Sequence, residues 1–177
     1  MAISKVGLTT GITGTLPIAN GGTGATSFSP GKVLQVVQGT TSVTHTTTST
    51  TPADTGLTVD ITPASSSNKV LVMASFPVRF YKTSNYYANG MFNLKRDTTN
   101  IIARSGSNVQ DFGVEAGALG SSSYVSNPIK MHMQILDSPS TTSATTYKVQ
   151  AAAFASTSVE SMWNSQPGHI IVMEVSA

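Results

Sequence analysis

The sequence has no cysteine and few charged residues. Without cysteine, a disulfide framework, a Cys-ligated zinc site and a thiol nucleophile are excluded. Charged residues make up 10% of the 177 residues, compared with about 25% in ordinary globular domains. Ten basic and eight acidic residues leave a formal net charge of +2. Because these residues are spread thinly, no basic patch indicates binding to nucleic acid.

Long hydrophobic stretches are missing as well. The chain contains no run of about 18 apolar residues that could span a membrane, and its N-terminus lacks the charged start and apolar core of a signal peptide. We therefore expect a soluble chain that is not inserted into a membrane and carries no secretion signal. No window of about eleven residues shows the period of an amphipathic helix, so long helices are not expected.

Hydroxyl side chains are abundant instead, with 25 Thr and 24 Ser residues. This composition is typical of a β-rich protein surface. A hydrophobic fraction of 39% with a net charge of +2 does not fit intrinsic disorder, which combines low hydrophobicity with high net charge. The length suffices for one compact domain and an arm.

Residues 1–31 differ from the rest of the chain. They carry many glycines, two prolines and almost no charge, and their apolar residues are too widely spaced to build a core. We predict an extended arm, which could reach roughly 100 Å along a partner or a symmetry copy. A flexible linker is the alternative, but it would not need the scattered apolar residues Ile3, Val6, Leu8, Ile12, Leu16 and Ile18.

From Lys32 onward, apolar residues recur at every second position, which predicts strands with one buried face. Turn signals separate these strands at intervals typical of an antiparallel sandwich or jelly roll. The Thr-rich segment 43–51 is spaced to form a hairpin with the first strand. Strands are predicted near residues 33–38, 43–51, 57–61, 69–80, 90–97, 100–104, 112–116, 128–137, 145–154 and 169–176. The predicted fold class is all-β: an antiparallel β-sandwich or jelly roll of residues 32–177, preceded by the arm of residues 1–31.

The strand at 69–80 has apolar residues on both faces in its first half. Val70 and Val72 share one face, and Leu71 and Met73 occupy the other. Burial of both faces favours assembly with symmetry copies over a monomer. Pro77 lacks the backbone donor of a sheet ladder, so the strand is predicted to bulge there or to lie at an edge.

No constellation of catalytic residues or metal ligands emerges from the sequence. His45, His132 and His169 match no metal-binding spacing, and each is predicted to be a strand residue with satisfied hydrogen bonds. The glycines at 21–24 lack the Lys-Ser/Thr of a phosphate loop, and no G-x-S-x-G motif activates a serine. We therefore predict no enzymatic activity, no metal and no cofactor.

Two polar loops combine aromatic rings with amide side chains. Loop 81–90 contains Tyr86 and Tyr87, and loop 160–167 contains Trp163, the single tryptophan. Such a mixture suits a sugar ring or a protein partner. The alternative is that these rings pack under their own loops or in a subunit interface. Tyr86, Tyr87 and Trp163 are the candidate receptor-binding residues.

Two parts of the chain resemble a known family. Residues 15–26, TLPIANGGTGAT, resemble a signature of the fibre proteins of tailed bacteriophages. Segments of the β domain are similar to the terminal domain of fibre-like virion proteins of marine phages and cyanophages. These segments are SNKVLV at 67–72, FNLKRD at 92–97, LDSP at 136–139, ATTYKV at 144–149 and IVMEV at 171–175.

The resemblance implies a homotrimeric, all-β appendage protein of the virion, made in the host cytoplasm and without enzymatic activity. The expected function is that of a tail fibre or tail-tip component that trimerises and contributes to host attachment through a surface glycan or protein. The arm would dock on other tail or capsid proteins. Its anchoring residues would be Leu16, Pro17, Ile18, Asn20, Gly21, Gly22 and Gly24.

Longer members of the family begin with an adaptor domain and a shaft, whereas only the glycine-rich segment precedes the β domain here. A capsid decoration or head fibre protein with a purely structural role is therefore the alternative, and a carbohydrate-binding module outside viruses is a third possibility. Copy number per virion separates the first two, since a tail component is present in a few multiples of three or six and a capsid coat in hundreds.

Overall fold

The computed structural model describes residues 32–82, 88–103, 113–116, 125–154 and 157–177. Within these ranges the chain forms eleven strands and a short 3-10 turn, Trp163–Ser165, and all strand pairs are antiparallel. The strands are β1 Val33–Thr41, β2 His45–Thr47, β3 Ala53–Ile61, β4 Lys69–Lys82, β5 Ala88–Arg96, β6 Thr99–Ile102, β7 Gly113–Ala116, β8 Val125–Asp137, β9 Thr145–Phe154, β10 Ser158–Ser161 and β11 Gly168–Val175.

The larger sheet has six strands and is organised around β4, which pairs with the whole length of β8. On its other side, the first half of β4 pairs with β11, and β11 pairs with β1. The second half of β4 pairs with β10, and β10 pairs with β2. The smaller sheet has the order β3-β9-β5, with β7 and β6 following each other along the opposite side of β5.

One hydrophobic core lies between the two sheets. Period-two alternation sends Val72 and Phe76 of β4 inward from the larger sheet, and Phe92 of β5 and Val149 of β9 inward from the smaller one. The rings of Phe76 and Phe92 meet edge to face, with their centroids 5.2 Å apart. Each such burial contributes about 1.5–3 kcal/mol. The all-β, antiparallel part of the prediction is confirmed, and two facing sheets around one core are compatible with a β-sandwich.

The predicted hairpin between the first strand and the Thr-rich segment is wrong. Only His45–Thr47 of that segment forms a strand, and it pairs with β10 rather than β1. Thr44 donates a hydrogen bond to the carbonyl of Met162, 2.8 Å away, which holds the start of β2 beside the end of β10. A contact across 118 residues therefore overrides the local spacing.

The predicted bulge or edge position at Pro77 is also wrong. Pro77 lies in the interior of β4, in unbroken register with Lys130 of β8. On the other side of β4, pairing with β11 ends at Ser75 and pairing with β10 begins at Val78. Because Pro77 falls in the gap between these two partners, the sheet tolerates a residue without a backbone donor there.

Candidate functional site

The family-like segments of the β domain contribute to two buried polar networks. In the first, Glu174 is fully buried, and its carboxylate accepts hydrogen bonds from Asn68 Nδ2 at 2.5 Å, Gln35 Nε2 at 2.6 Å and the amide of Ala64 at 2.7 Å. Burial alone raises the pKa of Glu174, but the hydrogen bonds from Asn68, Gln35 and backbone amides outweigh it, so the pKa lies below 4.5. The network fixes the β3–β4 connection against β11.

The second network joins the two sheets. The hydroxyl of Tyr147 donates to Asp137 Oδ2 at 2.7 Å, and Arg96 forms an ion pair with the same carboxylate at 2.7 Å. Burial, followed by the hydrogen bond and the charge of Asp137, raises the pKa of Tyr147 far above its usual value of 10.0. Since the polar groups of each network have hydrogen-bond partners inside the protein, these residues stabilise the fold.

The outward side of the larger sheet is apolar at one end. Because side chains alternate along a strand, the buried residues Ile170 and Val172 of β11 leave Ile171 and Met173 on the outer side. Cross-strand pairing places Leu71 of β4 and Val36 of β1 beside Met173. Val36 and Leu136 are 57% and 51% exposed. We call this surface the apolar face, and its residues are Val36, Leu71, Met73, Leu136, Ile171 and Met173.

A shallow depression of about 640 Å³ adjoins the apolar face. Ser75 of β4 lies between His132 of β8 and His169 of β11, and these three residues line the depression together with apolar-face residues. The ring of His169 is 3.0 Å from the amide of Gln38. Among the described residues, Nδ1 of His45 is buried without a hydrogen-bond partner, so the prediction of a satisfied histidine is not met at this atom. Among the described residues, no group of three or more acidic or histidine side chains could hold a metal ion.

The other end of the same outer side carries charge and aromatic rings. Arg79 of β4 lies opposite Glu160 of β10, and its guanidinium donates to both carboxylate oxygens at 2.8 Å. The guanidinium carbon is 5.7 Å from the ring centre of Tyr81 and 5.6 Å from that of Trp163. We call these four residues the Arg79–Trp163 cluster.

The backbone around Trp163 is strained. Met162, Asn164 and Ser165 have positive φ angles of 51°, 59° and 54°, and each such residue other than glycine costs about 1–3 kcal/mol. Thr44 bonds the carbonyl of Met162 at 2.8 Å and the amide of Ser165 at 3.4 Å. The side chain of Met162 is fully buried in the core. These contacts hold Trp163 in a fixed position at the surface, where it is half-buried.

Of the candidate receptor-binding residues, Trp163 lies within the described part of the chain. Tyr86, Tyr87 and the anchoring residues between Leu16 and Gly24 lie outside the described residues. The structure brings Trp163 close to Arg79 and Tyr81, so β4 and the 160–167 loop meet at one end of the sheet. Arg79 and Glu160 were not anticipated from the sequence. The one available signal was the alternation of Arg79 and Tyr81 on the outer side of β4.

No protein-family model and no curated protein matches the chain. The resemblance to phage fibre proteins therefore stays a prediction, carried by the residues quoted above. In the part of the chain that the structure describes, there is no helix of the length and apolarity needed to cross a bilayer.

Proposed function

We propose that this chain is a structural protein of a tailed-bacteriophage virion, a tail fibre or tail-tip component that assembles as a homotrimer and contributes to host attachment. The observation that carries the proposal is the apolar face. Its six residues include no charged side chain, and two of them are more than half exposed in the single chain. Contiguous exposed apolar surface of this kind marks a protein–protein interface.

The occupant of the apolar face is a further copy of the same chain. The six residues of the face carry no charge, so like surfaces can meet there, with Lys69 of β4 as the charged residue at its margin. The adjoining edge strand β1 begins with Val33 and Leu34, which are 58% and 42% exposed. An exposed apolar edge is an aggregation hazard unless another chain covers it. Three copies around an axis would cover both the face and this edge.

The strand order supports a jelly roll. The larger sheet contains the order β1-β11-β4-β8, and the smaller sheet has β3-β9-β5 followed by β6 and β7. With β6 and β7 taken as one interrupted position, this gives four strands per sheet, arranged as two Greek keys. The short pair β2 and β10 extends the larger sheet. Jelly rolls are used by viral capsid and lectin domains, which is compatible with a structural and binding role.

Quantitative mass spectrometry of purified virions tests the proposal. Phage particles whose genome encodes this chain should contain it in a small multiple of three. Several hundred copies per particle would instead favour the capsid decoration role, and absence from the particle would overturn a virion role altogether.

A further inference from the structure

We propose that the contact between copies through the apolar face is controlled by pH, because protonation of His132 and His169 at its border separates the copies. This inference rests on the assembly proposed above and adds the regulation of the same surface. Three observations carry it: the position of the two histidines, the depression that they share with the apolar face, and the charges around them.

The two histidines lie directly beside the apolar face. On the outer side of the larger sheet, Ser75 of β4 pairs with His132 of β8 on one side and with His169 of β11 on the other. Two residues earlier on β4 and two later on β11 are Met73 and Ile171 of the apolar face, which pair with each other. Residues on one side of a strand are about 7 Å apart. The row of histidines is therefore the next row of the sheet after the apolar face.

The size of a stable interface brings this row into contact with the second copy. Such an interface covers about 800 Å² per partner, which is roughly 28 Å across. The apolar face spans only about 15 Å across four strands and about 7 Å along them. In the direction away from the histidines a single row remains, because β4 begins at Lys69 and β11 ends at Val175. An interface centred on the apolar face therefore extends over His132 and His169.

The depression joins the histidines to the apolar face. Met73 and Ile171 line it together with Ser75, His132 and His169, and its volume is about 640 Å³. In the single chain His132 is exposed and His169 is half-buried. A second copy that covers Met73 and Ile171 also closes the depression, so both imidazole rings lose contact with bulk water. Removal from water disfavours the charged form of an imidazole.

The charged groups around the depression do not compensate an imidazolium ion. Lys130, which is exposed, lies next to His132 on the same side of β8 and adds a positive charge. Among the described strand residues on this outer side, Glu160 carries the one carboxylate, and both of its oxygens already accept from Arg79. Lys69 lies at the far margin of the apolar face. The amide of Gln38, 3.0 Å from the ring of His169, is uncharged.

The direction of the pH effect follows from these surroundings. Histidine is the side chain that ordinarily gains charge between pH 8 and pH 5, and the chain has three histidines and no cysteine. Because the closed interface disfavours the charged form, the contact between copies is strongest above this range and weakens as the pH falls through it. The range lies above pH 4.5, so loss of the Glu174 carboxylate does not interfere.

Sedimentation equilibrium of the full-length chain at pH 7.5 and pH 5.5 measures the effect. We expect a trimer at pH 7.5 and a dissociation constant that is about tenfold or more higher at pH 5.5. Circular dichroism at both pH values shows that the separated chains stay folded. The double variant H132Q/H169Q should have the same dissociation constant at both pH values. H132Q alone, at an exposed position, should lose part of the shift.

The third histidine provides the matched control. His45 pairs with Ser161 of β10, away from the apolar face, so H45Q should keep the full pH dependence. Equal masses at both pH values over the whole concentration range would overturn the inference, as would a pH dependence that persists in H132Q/H169Q or disappears in H45Q. A trimer at both pH values overturns only the pH control, whereas a monomer at both overturns the assembly and the pH control together.

Discussion

Glu174 is the clearest case of a single residue whose hydrogen bonds link distant segments of the chain. Its carboxylate is fully buried, yet hydrogen bonds keep its pKa below 4.5. Asn68, at the start of the SNKVLV segment, supplies one of these bonds, and the amide of Ala64 supplies another. The two segments are therefore linked by structure, although 106 residues separate Asn68 from Glu174.

Replacing Glu174 with glutamine should lower the free energy of unfolding by about 1–3 kcal/mol at neutral pH. The side-chain NH2 group of glutamine would face buried N–H groups that now donate to the carboxylate, so these donors would lose their acceptor. Urea denaturation followed by circular dichroism measures this change. The exposed substitution Asp60→Asn is the control, because the amide oxygen can still accept the hydrogen bond from Thr146, and it should change stability by less than about 0.5 kcal/mol. Equal effects of the two substitutions would contradict the assigned role of the Glu174 network.

The same carboxylate predicts a pH dependence. The pKa of Glu174 is lower in the folded chain than the unfolded value of 4.5. The ionised carboxylate therefore contributes to the free energy of unfolding in full above pH 4.5, and this contribution is lost as the pH falls through the folded pKa. Stability of the unchanged protein should therefore decline below pH 4.5, and E174Q should decline less steeply. Parallel stability curves for the two proteins would show that another group controls acid unfolding.

At the scale of strands, local alternation located most elements, but it could not assign their partners. Ile129, Met131 and Met133 were correctly placed on one face of β8, which packs on the core. β10 was missed because Val159 is the only apolar residue in its four positions, too short a pattern to recognise. The Arg79–Trp163 cluster was missed for a related reason. Arg79 and Trp163 come together only through the pairing of β4 with β10, which no local pattern encodes.

Gly39 marks a place where two strands approach too closely for any side chain. A Cβ atom at Gly39 of β1 would lie 1.9 Å from the backbone carbonyl of Thr58 in β3. Gly39→Ala should therefore force the strands apart and cost about 1–3 kcal/mol, as overpacking does. Thermal unfolding measures the loss. The neighbouring substitution Gln38→Ala is the control, since it removes only an exposed contact with His169. Equal melting temperatures of the two variants would contradict the close approach.

On the scale of the whole molecule, the two ends of the outer side of the larger sheet differ in chemistry. The apolar face lies at one end and the Arg79–Trp163 cluster at the other. Alternation along β4 predicts that the side of the strand with Leu71 and Met73 is buried. In the single chain both residues are half-buried. In the proposed assembly, further copies of the chain on the apolar face would bury both residues fully.

Introducing a charge on the apolar face should prevent assembly without unfolding the chain. Leu136 is 51% exposed, so Leu136→Lys is tolerated in a single chain, but three lysines near a symmetry axis would repel one another and be desolvated. Val43→Lys is the matched control, since Val43 is 75% exposed and lies outside the apolar face. Size-exclusion chromatography should show a smaller species for L136K only. An unchanged elution volume of L136K would remove the apolar face from the interface.

Sedimentation equilibrium of the purified full-length chain decides between trimer and monomer, because it gives the mass of the assembly without reference to its shape. We expect a single species of three times the chain mass of 18.4 kDa, stable on dilution into the micromolar range. A species of 18.4 kDa that persists at the highest concentration measured would contradict it.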